Sequence, residues 1–142
     1  MTGPASVVLD NEAVQALGAV THPKHRRVLA LIEVVNQRNQ GRRRATTVLV
    51  PVAVRVEAGW DRSAPGAALA NRLARARDVV LDGVAADRAS QLRAAAGVSV
   101  VDATVSQVAE AAPSPTVILT SDVADMGHLA AAVGGEVRVV RV

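Results

Sequence analysis

The fold class predicted for this chain is α/β, a three-layer sandwich with a central parallel β-sheet of about five strands flanked by helices. Three observations predict it. Short β-branched runs alternate with stretches of helical apolar spacing almost from end to end. The runs Val7-Val8-Leu9 and Thr116-Val117-Ile118-Leu119 are apolar throughout and read as buried strands. Four acidic residues, Asp10, Glu57, Asp102 and Asp122, each sit where an apolar run gives way to a helix start. Parallel strands all end on one side of their sheet, so this arrangement would bring the four carboxylates to one edge.

The first strand, Val7-Val8-Leu9, ends in Asp10, after which Ala13, Val14 and Leu17 begin a helical pattern that Gly18 weakens. From Lys24 to Gln40, Val28, Leu31, Ile32 and Val35 keep helical spacing, and Gly41 suits the helix end. Thr46-Thr47-Val48-Leu49 is strand-like, and Pro51 suits the first turn of a helix running through Val54 and Glu57 to about Trp60. A further helix is expected from Pro65 to Arg77 with Leu69 and Leu73 inward, then a strand at Val79-Val80-Leu81 and a helix from Ala85 to Ala96 that Gly97 ends. Val98 to Val101 reads as a short apolar lead into Asp102, which opens a helix through Val105, Val108 and Ala109 until Pro113 and Pro115. Thr116 to Leu119 delivers Thr120-Ser121-Asp122 to the edge. Met126, Leu129, Ala130 and Val133 make a helix, and Val137 to Val142 a last strand.

At 142 residues the chain is the size of one domain and is read as a single unit, 1–142, with no internal repeat or linker. Half of it is hydrophobic, yet it has no Phe or Tyr and one Trp, Trp60, so Val, Leu, Ile and Ala must build the core. A chain without aromatic platforms is poorly suited to binding single strands by base stacking. Zero Cys excludes a disulfide framework or a thiolate zinc site. Met1 to Ser6 lacks a basic, apolar leader, and no apolar run approaches the roughly 20 residues that span a bilayer. The expectation is a soluble, cytoplasmic protein. Fifteen of the sixteen basic residues are arginine, a bias in keeping with a GC-rich genome. The net charge of +3 with a pI near 10.9 favours a polyanionic partner such as RNA, DNA or an acidic protein.

Four converging carboxylates repel one another unless a cation lies between them. An oxygen-only set without Cys or His suits a hard divalent ion, magnesium or manganese, and hence metal-assisted phosphodiester chemistry. Each acid also has a plainer reading. Asp10, Asp102 and Asp122 can be helix N-caps, a role that stabilises a helix by about 1 kcal/mol. Glu57 shares a helix with Val52, Val56 and Trp60, and an unpaired buried carboxylate there is costly. Asp125 reads as a first-turn acid that can also face the pocket. His22, His25 and His128 lack metal-ligand spacing. The basic groups Lys24, Arg26 and Arg27 and the run Arg42-Arg43-Arg44 either grip an RNA backbone or solvate helix ends.

The segments Val7-Val8-Leu9-Asp10, Val50-Pro51 with Glu57, Val101-Asp102-Ala103 and Ile118-Leu119-Thr120-Ser121-Asp122 with Asp125 resemble, in order and spacing, the PIN-domain ribonucleases. The likeness is to the small VapC-like toxins of prokaryotic toxin-antitoxin pairs in particular. The resemblance implies a five-stranded parallel sheet and a magnesium or manganese site made by Asp10, Glu57, Asp102 and Asp122. It also implies endonucleolytic cleavage of RNA, a homodimer, and an antitoxin that inserts a segment into the active-site groove. The family often has Thr or Ser directly after the first Asp, where this chain has Asn11, and an aromatic where it has Met126. In the mechanism so implied, Asp10 and Asp122 hold one metal while Asp102 and Glu57 bind or orient a second metal or its waters. Water activated by the metal attacks phosphorus in line, and Thr120, Ser121 or Asn11 orients a ligand or touches the phosphate.

Two other functions fit parts of the sequence. A noncatalytic PIN-like module would keep the acids but act by binding RNA or protein. A receiver-type signalling domain also carries strand-end acids, but it needs a strand-end Lys, and Lys24 opens a helix instead.

Overall fold

A computed structural model describes residues 3–40 and 45–142, with the side chains of 73 and 74 set aside. Arg42, Arg43 and Arg44, and the inward placing expected of Leu73, lie outside the described residues. The elements in order are β1 (Ser6–Leu9), α1 (Asn11–Gly18), α2 (His25–Asn39), β2 (Thr47–Pro51), α3 (Val52–Ala58), a 3-10 turn (Pro65–Ala67) leading into α4 (Ala68–Ala74), β3 (Arg77–Val79), α5 (Gly83–Ala96), α6 (Val100–Ala111), β4 (Thr116–Thr120), α7 (Val123–Ala132) and β5 (Val137–Arg141). The strands form one sheet in the order β3-β2-β1-β4-β5, parallel throughout. This is the α/β sandwich that the alternating pattern predicts.

The apolar strands lie at the centre because both of their faces are covered. Val8, Leu9, Val50 and Ile118 are fully buried, and so are Leu17 and Ile32 of α1 and α2 and Val105 and Leu129 of α6 and α7. Helix α1 packs on α2, α3 and α4, while α6 packs on α5, α7 and the central strands. Branched aliphatic side chains fill this core without Phe or Tyr because close packing needs matched volume rather than aromatic rings.

Two expectations of the sequence are displaced, each for a local reason. The third strand falls at Arg77–Val79 instead of Val79 to Leu81. It pairs with a β2 that ends at Pro51, opposite Val79, so Val80 and Leu81 have no ladder to join and are exposed. Asp78 holds this register by accepting from Arg55 Nη1 at 2.8 Å and from Arg62 Nη2 at 2.9 Å. The apolar lead Val98 to Val101 is not extended up to Asp102 either. Ser99 caps α6, its Oγ accepting from the Asp102 amide at 3.1 Å, so the helix begins at Val100 and Asp102 already lies in its first turn.

Trp60 is a core residue. Gly59, with φ +67°, ends α3 in the left-handed region that a side chain disfavours, and the chain turns there so that the indole is almost covered. Its Nε1 donates to Asn71 Oδ1 at 3.0 Å, and the Arg62 guanidinium lies 4.1 Å above the ring. Arg88 makes a forked pair with Glu110, at 2.9 and 2.8 Å, that ties α5 to α6.

Replacing Ile118 by Ala should lower the unfolding free energy in urea by about 3–4 kcal/mol, the usual cost of an aliphatic cavity in a tight core. Val84→Ala on the exposed start of α5 should change it by less than about 0.5 kcal/mol.

Candidate metal centre

The pairing of β1 with β4 places the first and last of the predicted acids. Leu9 lies opposite Leu119, so Asp10 and Asp122 leave the sheet at the ends of neighbouring strands. Asp10 is 6% exposed and caps α1, its Oδ1 accepting from the Asn11 amide at 2.7 Å. Its Oδ2 accepts from the buried Thr120 hydroxyl, also at 2.7 Å. Thr120 Oγ1 in turn accepts from the Asp122 amide at 3.0 Å, so one hydroxyl clamps the two strand ends together. Asp122 caps α7 and accepts from the Asp125 amide at 3.3 Å.

Asp102 approaches from the first turn of α6. Carboxylate oxygens of Asp102, Asp122 and Asp125 all lie within 4.8 Å of one another. Asp102 is half-buried, and its pKa is pushed up to about 6, first by burial and then by the negative charges of Asp10 and Asp122. A hydrogen bond from Ser99 draws it the other way without cancelling the rise. The charge crowding thus includes Asp10 even though the tight trio does not.

Glu57 is placed differently from the sequence expectation of a helix interior. It lies in the last turn of α3 with its side chain exposed, outside the close carboxylate group. The reason is the angle of α3: Val54 faces the core, and Val56 and Glu57 turn to solvent. Asp125, read from the sequence as a first-turn acid, is exposed yet belongs to the trio because it sits one helical turn beyond Asp122. Asp10 and Asp122 are N-caps, as the sequence allows, whereas the cap of α6 is Ser99 and not Asp102, a place that the capping spacing of Ser99-Val100-Val101-Asp102 signals. The bridging role of Thr120 has no local signal, since its partner is 110 residues away.

Asn11 Oδ1 is buried beside Asp10 without a hydrogen-bond partner, and Ser121 is half-buried between Thr120 and Asp122. Of the basic residues expected near a phosphate, Lys24 lies 3.7 Å from Glu12, which also takes His22 Nε2 at 3.1 Å. Arg26 and Arg27 are exposed at the start of α2, and Arg27 donates to the Arg141 carbonyl. His25 is buried against the Ala16 carbonyl at 2.7 Å, a structural role. An oxygen-only donor set with unrelieved negative charge fits a hard divalent cation, and Asp102, Asp122 and Asp125 are the residues placed to hold one.

No protein-family model matches the sequence, and no curated protein matches it. Among solved structures, the fold is similar to a chain of VapBC2 from Rickettsia felis, seen in a crystal structure bound to a DNA fragment from their promoter. The TM-score is 0.64 at 12% identity, covering 96% of this chain and 98% of that one. At that identity the likeness is one of fold. Among the described residues, no helix is long and apolar enough to cross a membrane.

Two predictions follow from the crowding and the clamp. The folded pKa of Asp102 exceeds the ordinary 3.8, so the folded chain holds a proton that the unfolded chain releases. Stability from this group is therefore complete below about pH 4 and is lost as pH rises through about 6. Metal-free Asp102→Asn should be more stable than the parent at pH 8 by on the order of 1 kcal/mol, after discounting for the solvent-exposed half of the side chain. The gap should close at pH 4, and guanidinium melts at the two pH values in EDTA decide it. Thr120→Val should cost about 1–3 kcal/mol by leaving the buried Asp10 carboxylate and the Asp122 amide short of a partner.

Proposed function

We propose that this protein is a divalent-metal-dependent endoribonuclease and the toxin of a toxin-antitoxin pair. The observation that carries the reading is the carboxylate group of Asp102, Asp122 and Asp125, with buried Asp10 beside it, at the carboxyl edge of a parallel sheet. Ligands of open α/β sheets bind at that edge, and hydrolysis of a phosphodiester there needs a means of neutralising negative charge. RNA is preferred as the substrate on the PIN-domain resemblance of the sequence. The fold likeness to a VapBC2 chain supports a cognate antitoxin as partner. A homodimer and a cytoplasmic setting belong to the same reading.

Asp102, Asp122 and Asp125 would hold magnesium or manganese with Asp10 adjoining, and Glu57 would act from the margin of the site. The bound ion supplies Lewis acidity toward a phosphate oxygen and makes water easier to deprotonate. The chain's own residues orient the rest. Thr120 spends its hydroxyl hydrogen on Asp10, so it fixes a carboxylate and does not touch the substrate. Asn11 Oδ1 is a buried acceptor at the start of α1 that a water could satisfy, and half-buried Ser121 would contact the phosphate.

The exposed position of Glu57 favours one second reading, a noncatalytic PIN-like module that binds RNA or protein. One experiment separates the two. Purified protein is incubated with a pool of structured RNAs in magnesium or manganese, with EDTA and an Asp10→Asn/Asp102→Asn double variant as controls. Metal-dependent cutting should fall at least about 100-fold in the double variant, since even outer partners of a metal site cost 10–100-fold. Glu57→Gln should cost about tenfold at most. Folded protein that binds RNA but never cuts it would replace the nuclease reading with the binding one.

A further inference from the structure

The carboxyl edge of the sheet carries unequal charge on its two sides. At the carboxyl end of β3 Arg55 and Arg62 are engaged internally: both pair with Asp78, and Arg62 also donates to the Ala76 carbonyl at 2.8 Å, while exposed Arg77 stands at the amino end of the strand. The exposed charges that remain around α3 and the end of β3 are acidic, namely Glu57, Asp61 and Asp82. A polyanion crossing the carboxyl end of β3 meets these carboxylates, with Arg55 and Arg62 already paired.

The β5 side is the opposite. Arg141 closes β5 with an exposed side chain, and it stands in register with Thr120, the residue that holds Asp10. Arg27 of α2 lays its guanidinium against the Arg141 backbone carbonyl, Nε at 3.1 Å and Nη2 at 2.7 Å. Exposed Arg26 adjoins it in sequence. Among the described residues, no carboxylate pairs with Arg26, Arg27 or Arg141. The two bonds to the carbonyl hold the Arg27 guanidinium in one orientation and leave three of its five N–H donors for another acceptor. A fork fixed before the ligand arrives loses less freedom on binding, and its geometry matches a phosphate. The ends of β1 and β5 are two strand spacings apart, about 10 Å, so Arg141 leaves the sheet at the same edge as the carboxylates without pairing with them.

We propose that Arg27 and Arg141 form the phosphate-holding flank of the cleavage site, so that single-stranded RNA leaves the carboxylates across the end of β5 and not across β3. This rests on the nuclease reading above. Of the basic residues read from the sequence it takes Arg27, and it adds Arg141, which stands alone in a strand and carries no motif.

The test is binding of a short, labelled, single-stranded RNA of mixed sequence to the full chain in EDTA, where no cutting occurs, across a range of salt. Arg141→Gln keeps the carbonyl that Arg27 holds, and it should weaken binding several-fold. Arg27→Gln/Arg141→Gln should weaken it at least about tenfold and lower the slope of log affinity against log salt by about 1.4, the loss of two phosphate contacts on a single strand. Arg72→Gln on the exposed face of α4 should change neither. Circular dichroism checks that the variants fold, and Arg141→Gln serves alone if Arg27→Gln does not. A parent that cuts RNA, with unchanged affinity and salt slope in the arginine variants, overturns this inference and leaves the nuclease reading standing. A parent that neither cuts nor binds RNA overturns both. A parent that binds but does not cut, with binding lost in the arginine variants, overturns the nuclease reading alone.

Discussion

The parallel pairing of β1 with β4 is the constraint on which the rest of the site depends. Once Leu9 and Leu119 are neighbours, the segments that follow must emerge side by side, and each brings an aspartate, Asp10 directly after Leu9 and Asp122 three residues after Leu119. Two carboxylates so placed would push the strand ends apart. The Thr120 hydroxyl counters this by donating to Asp10 and accepting from the Asp122 amide, and the N-termini of α1 and α7 supply further hydrogen-bond donors. Asp122 is therefore both the cap of α7 and a member of the acidic group, so a capping role does not remove a carboxylate from that group.

Asp102 shows where the compensation stops. It enters from α6, and its own capping partner, Ser99, relieves only part of the charge. Burial first, and then the neighbouring negative charges, raise its pKa, which costs stability at neutral pH unless something positive occupies the space. A group of acids with no ion-pair partner among the described residues differs from an acidic surface, where ion pairs disperse the charge. Arg55, Arg62 and Arg88 make such pairs elsewhere in the fold, with Asp78 and Glu110.

That division of the arginines gives the abundance of arginine a meaning that composition lacks. Arg62 alone stacks on Trp60, grips Asp78 and caps the Ala76 carbonyl, so it acts as packing for a loop in a chain short of aromatic residues. Arg27 is bound to backbone and keeps its charge unshared among the described residues. A net charge of +3 thus averages over arginines neutralised in structural pairs and others without a carboxylate partner among the described residues, Arg27 and Arg141 among them.

The sequence by itself determined the fold class, the number of strands and the meeting of Asp10 with Asp122, because continuous apolar runs between helical patterns allow few arrangements other than a covered parallel sheet. Those are consequences of periodicity, and periodicity is local. Tertiary structure alone decided that β3 stops at Val79, that Glu57 faces solvent, and that Asp125 joins the acidic trio. Each depends on a partner far along the chain or on the angle of a helix, as Thr120 depends on Asp10 and Arg141 on Arg27. Spacing along one strand or helix carries no information about the distance between two of them, and only packing sets that distance.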